Sequence, residues 1–436
     1  MSDQDPMNRW LVVIGAVLIQ LSLGVIYAWS VFTKNLTAAV TDGGYGFSAT
    51  QAAWIFSAVL ATFAVVMVLA GRMQATVSPR PMAISGGIVL GVGYMLGGLF
   101  GRSFVAQLLS IGIIGGVGTG LAYVVPIAVG VKWFPDKKGM ITGLAVAGFG
   151  FGATLWVKLA GSWFGGLLNT THVFGLPGVQ SVFFIYGIIF LVLVLLGSIV
   201  MVNPPAGYKP KGWEPPKETE SGKATGAIDL TSAEMRKTPQ YYILFMMFIG
   251  SGLAGLMVIY CIRLFGIDAL KASGAASSAA VAGTIAGTAM AWYALFNGLG
   301  RIAWGAISDE IGRKSSLFLI CLSQGIIMLL FFRLGTSAMG LIIGACLIGF
   351  NFGGNFALFP AATADFFGNK NVGANYGWVF LSYGVAGIAG PQVAGHFKDA
   401  AQGGDVSAWI TPFVIAGIAC LFAAVLALML KAPKKA

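Results

Sequence analysis

The feature that most limits this chain is its supply of apolar runs. Twelve stretches long enough to cross a hydrocarbon core follow one another, most of them separated only by short polar turns. They begin near Trp10, Gln51, Pro81, Val105, Gly139 and Ser181, then near Pro239, Ala279, Ser315, Met339, Asn371 and Ala408. A helix of about 20 apolar residues spans a bilayer and satisfies its own backbone groups there. The expected fold is therefore an all-α membrane protein with twelve transmembrane helices. At 57% hydrophobic and 9% charged residues the chain lies outside the range of soluble domains. The first run, Trp10 to Phe32, is too long for the core of a cleavable signal peptide, and no small-residue cleavage site follows it.

The net charge of +11 has an explanation that needs no nucleic acid. Eighteen of the 26 Lys and Arg fall on one side of the membrane, five on the other, and Lys158, Arg263 and Arg301 lie within helices. Basic loops stay cytoplasmic, which places both termini in the cytoplasm and the chain in the cytoplasmic membrane. Residues 203–238 are rich in Pro, Lys, Glu and Gly and read as a cytoplasmic linker between bundles at 1–202 and 239–436. Within it, Thr231 and Glu234 have capping-box spacing.

Chemistry-bearing clusters are missing from the sequence. Cys261, Cys321, Cys346 and Cys420 stand singly in apolar runs, and His172 and His396 are far apart, so no metal site or catalytic triad assembles. Gly115 to Gly120 has neither the preceding strand nor the lysine of a phosphate loop. Neither an enzyme nor a bound cofactor is expected.

The two halves resemble one another. VIY occurs at Val25 and again at Val258, Gly71 is echoed by Gly305, and the turn at Trp133 is echoed at Phe366, all offset by 233 or 234 residues. A duplicated six-helix unit is a carrier architecture, with substrate held near the midplane between the repeats. Arg301 sits in that region of the second repeat, eight residues before the charged turn at Asp309, or roughly 12 Å inside the bilayer. Tyr293, Asn297 and Arg301 share one helix face. A cation at that depth is costly unless it meets water, a partner or a ligand.

The turn Gly305 to Lys314 resembles the major facilitator superfamily signature G-x-x-x-D-x-x-G-R-K/R between helices 8 and 9, which implies a loop lock at Asp309 and Arg313. Its first-half copy has Ala75 in place of the aspartate. KWFPDKKG (132–139), GFGFGA (148–153), TPQYY (238–242) and NFGGNFALFPAATADFFG (351–368) resemble the oxalate/formate antiporter family. That resemblance implies alternating access and a substrate-binding arginine at Arg301, with Tyr27 and Tyr123 lining the cavity. Asn297 can orient the arginine, and Phe356, at the repeat position of Tyr123, shapes the pocket. Oxalate carriers of the family place a second cation on helix 11, where this chain has Tyr383.

One buried cation balances one negative charge. The expected substrate is thus a small monocarboxylate such as lactate, pyruvate, formate or acetate. The Asn four residues before the helix-8 arginine also resembles the monocarboxylate transporters. Two alternatives stand beside this reading: exchange of oxalate or another dicarboxylate for formate, and a membrane sensor that binds carboxylates without moving them. Coupling is to a proton or a counter-anion, with Asp268 the candidate for proton exchange with Arg301. Lys158, Arg263 and Lys398 are expected to snorkel, and the chain to act as a monomer.

Overall fold

The computed structural model describes residues 7–42, 44–74, 76–134, 138–176, 178–205, 208–210, 229–368, 371–400 and 405–431. Each apolar run becomes a helix. The first six are α1 (Arg9–Thr37), α2 (Ala49–Met73), α3 (Pro79–Phe100), α4 (Phe104–Gly130), α5 (Lys138–Gly161) and α6 (Gly178–Ser198). The second six are α7 (Pro239–Ala272), α8 (Ala279–Ile311), α9 (Arg313–Leu334), α10 (Ala338–Phe367), α11 (Val372–Ala400) and α12 (Ile410–Met429).

Local chemistry sets the boundaries. Ser48 and Gln51 form a capping box at the start of α2, Thr238 caps α7 with Pro239 at its first position, and Ser278 and Ser337 cap α8 and α10. Gly312, at φ +85°, breaks α8 from α9, a conformation that a side chain would strain.

Eleven of these helices are apolar and long enough to span a membrane on composition alone. The remaining one, α11, has 29 residues, about 43 Å, which is also enough. Its polar groups point at protein: Asn375 and Tyr383 are fully buried, and Gln392 reaches Ser57.

Helices α1–α6 pack on one another, as do α7–α12, and the two bundles meet along two long seams, α2 on α11 and α5 on α8. The sequence repeat exchanges α2 with α8 and α5 with α11. The seams are therefore one interface used twice.

Part of the expected linker (206–207 and 211–228), Ala75, Pro135 to Lys137, Asn369, Lys370 and residues 432–436 lie outside the described residues. The described end of the linker docks on the second bundle. Leu230 donates its N–H to the Phe367 carbonyl at 2.9 Å and accepts from Asn371 and Asn375, while Thr231 and Glu234 close their capping box.

The face bearing Arg9 and Met429 is here the terminal face; the opposite one is the far face. Polar contacts tie the two bundles together toward the far face. The Asp399 carboxylate accepts from the N–H groups of Ala49 and Thr50 at 2.7 and 2.8 Å, the free donors at the start of α2. Tyr260 donates to the Ala49 carbonyl, Thr154 to Ala291 at 3.0 Å, and Arg263 to Val31 at 3.3 Å. Each hydrogen bond to a charged group contributes roughly 1.5–3 kcal/mol. Asp399→Ala is expected to speed hydrogen exchange at the Ala49 and Thr50 amides at least about tenfold relative to parent. Unchanged protection would show that the carboxylate is not holding the seam shut.

Candidate functional site

Close packing of α8 on α10 sets the rotation of α8. A Cβ on Gly349 would lie 2.3 Å from the Tyr293 carbonyl, and one on Gly353 only 2.0 Å from that of Asn297. The two backbones touch, and the Arg301 side chain is left facing the other bundle. On α1, the tightened turn Gly24–Ala28 carries Tyr27 inward, and a Cβ on Gly24 would meet the Phe149 carbonyl of α5 at 2.2 Å.

Arg301 is 2% exposed. Its Nε donates to Asn297 Oδ1 at 3.1 Å and its Nη1 to the Val146 carbonyl of α5 at 3.2 Å. The guanidinium lies 4.2 Å from the centre of the Phe356 ring and 5.7 Å from that of Phe149. Since Nε–H can only donate, the Asn297 oxygen must face it and the amide nitrogen is turned away. Among the described residues neither Arg301 Nη2 nor Asn297 Nδ2, both buried, has an acceptor at full hydrogen-bond geometry, although the Tyr27 and Tyr123 hydroxyls lie near enough to interact with the guanidinium. An unmet buried donor costs about 1–3 kcal/mol, so two on neighbouring groups call for a missing acceptor. Among the described residues no acid pairs with Arg301; the ion pairs join Arg313 to Asp309 and Asp365, and Lys398 to Asp268.

Aromatic side chains close the space around the guanidinium. Tyr27 and Tyr383 meet hydroxyl to hydroxyl at 3.2 Å, one from each bundle. Tyr123 is 3% exposed, lies edge-on to Phe149 and Phe63, and with Tyr27 and Tyr383 is within electrostatic reach of Arg301. Tyr293 is buried too, but its hydroxyl donates to the Gly255 carbonyl of α7 at 3.1 Å and serves packing there.

Reasoning from the sequence passed over Phe149, Phe380 and Tyr376. Phe149 lies inside GFGFGA, between two glycines. Tyr376, Phe380 and Tyr383 recur at i, i+4, i+7 on α11, a face that helical periodicity reveals.

The structure places Asp268 away from Arg301: Lys398 pairs with its carboxylate, and Trp409 donates to it at 2.9 Å. Helical rise puts the Asp268 carboxylate about 6 Å from the far end of α7, whereas Arg301 is about 33 Å along α8 from that same face. Lys398 therefore forms an ion pair, and it does not snorkel. Lys158 and Arg263 do not snorkel either; both point between the bundles, Lys158 to Thr288 at 3.3 Å and Arg263 to Val31.

At the terminal face Arg313 contacts Asp309 at 2.8 Å, Asp365 at 3.0 Å, and Ser308. Asp365, at the end of α10, is the part of this cluster that the motif did not announce.

The family model described as Major Facilitator Superfamily matches residues 9–288 and 280–436. The chain belongs to that superfamily. This major facilitator is 26% identical to a protein named oxalate:formate antiporter from Oxalobacter formigenes, over 96% of this chain and 91% of that one. It is also 26% identical to apicoplast pyruvate carrier 1 from Toxoplasma gondii, over 86% and 81% of the two chains. A mutant form of the nucleoside transporter NupG shares its fold with a TM-score of 0.66 at 14% identity, covering 96% of this chain and 99% of that structure. As a member of this superfamily the chain is a multi-pass membrane transporter and not an enzyme.

Proposed function

We propose that this major facilitator moves small monocarboxylates across the cytoplasmic membrane by alternating access of its two bundles, 1–202 and 239–436. The observation that carries the reading is the pair of unmet donors, Arg301 Nη2 and the neighbouring Asn297 Nδ2, with no acid paired to the arginine among the described residues. A carboxylate supplies two acceptor oxygens and the balancing charge at once. The hydroxyls of Tyr27, Tyr123 and Tyr383 add neutral donors, and the rings of Phe356 and Phe149 present an apolar surface beside the guanidinium. A dianion would be left half-compensated by one cation at low dielectric. The names of the relatives, an oxalate:formate antiporter and a pyruvate carrier, both specify small carboxylates.

The Lys and Arg asymmetry supports cytoplasmic termini and an external far face. Coupling by exchange of one anion for another needs no titratable group beside Arg301. In proteoliposomes, labelled lactate, pyruvate and formate are expected to enter when the lumen holds unlabelled carboxylate, and oxalate to enter poorly. Uptake driven only by an imposed pH gradient would replace exchange with proton symport. Preference for oxalate would replace the monoanion with a dicarboxylate.

A further inference from the structure

Two adjoining cavities lie between the bundles toward the far face, away from Arg301, sharing Gly161 and Arg263 in their walls. The larger holds about 180 Å³, room for a small carboxylate with water. Three cations line the pair. Lys34 comes from α1, Lys158 from α5 and Arg263 from α7.

Among the described residues these cations pair with no acid. Arg263 gives Nη1 to the Val31 carbonyl and has a buried Nε with no acceptor there, and Lys158 reaches the Thr288 hydroxyl. Tyr27, Val31 and Lys34 follow one face of α1, so the cluster stands two turns, about 10 Å, beyond the tyrosine layer around Arg301. Helical rise separates Arg263 from Arg301 by about 19 Å. Three like charges around two adjoining cavities repel one another and draw in a counter-ion.

We propose that Lys34, Lys158 and Arg263 form a second anion site at the far face, which holds a small carboxylate before it reaches Arg301. Its ligand class rests on the monocarboxylate reading of Arg301, whereas its charge preference does not.

The test uses the full-length protein in detergent with Thr284→Cys, a position that lines the smaller cavity and is exposed. Labelling by the anionic sulfonatoethyl and the cationic trimethylammonioethyl methanethiosulfonates is compared, each normalised to its rate with free mercaptoethanol. The chain with only its four native cysteines supplies the background. The anionic reagent is expected to react at least about tenfold faster, and Arg263→Gln or Lys158→Gln to bring the ratio within about twofold of one. Where Arg263→Gln fails to fold, Lys158→Gln, which loses a single hydroxyl contact, carries the measurement. Lactate is expected to slow labelling equally in parent and Arg301→Lys backgrounds.

A ratio near one, or a ratio untouched by the lysine variant, overturns the site. Protection by lactate that vanishes with Arg301→Lys overturns it as well, since protection would then come from movement at the central arginine. Uptake of carboxylate is blind to this ratio. Lost uptake with the preference intact removes the role of Arg301, and a flat ratio with uptake intact removes the second site alone.

Discussion

Arg301→Lys is expected to lower carboxylate uptake at least about 100-fold, equivalent to about 2.7 kcal/mol, while the variant inserts, elutes as a single species and keeps its helical circular dichroism. Lysine preserves the charge but loses the fork. In the parent, Nε and Nη1 are held by Asn297 and Val146, which aims Nη2 away from both. A single ammonium cannot satisfy the Asn297 oxygen and the Val146 carbonyl and still present a planar donor edge to a carboxylate. The ring of Phe356 at 4.2 Å also stacks better under a flat guanidinium than under an ammonium. Uptake within about threefold of parent would remove Arg301 from the substrate's path.

The second large effect is expected from one glycine in the seam between bundles. A Cβ on Gly150 would stand 2.9 Å from Gly298 N and 3.0 Å from the Ala294 carbonyl, both backbone atoms of α8. Gly152, two residues on, faces its own bundle, where a Cβ would come within 2.2 Å of the Leu21 carbonyl of α1. Overpacking costs about 1–3 kcal/mol wherever it occurs, but the two sites divide that cost differently. Gly150→Val acts on the α5–α8 seam, which alternating access must slide and reopen, so uptake is expected to fall at least about tenfold with insertion unchanged. Gly152→Val acts inside the first bundle and is expected to lower the yield of folded protein instead. Equal loss of yield in both would show that α5 packs without regard to which bundle it faces.

Much of this protein is legible along the chain because a bilayer leaves a helix few options. Apolar runs, serine and threonine caps and the +85° glycine at Gly312 are local signals, and they mark helix boundaries to within a few residues. The depth of Arg301 and its spacing from Asn297 are also linear facts. By contrast, Tyr293 shares the helix face of Arg301 yet gives its hydroxyl to Gly255, and no periodicity foretells that choice. Asp268 looked available because its partners, Lys398 and Trp409, are 130 and 141 residues away.

By itself, then, the amino-acid order determined how many helices there are, where they start, that they fall into two like sets, and which cation is stranded in oil. Only the tertiary structure decided which donors on Arg301 and Asn297 remain unspent, that Phe149, Phe380 and Tyr376 join the site, and that Arg263 and Lys158 face a cavity. The division has one physical cause. Helix formation and depth depend on residues within a few turns, whereas the satisfaction of a buried polar group depends on which atoms the packing of distant helices brings within about 3 Å.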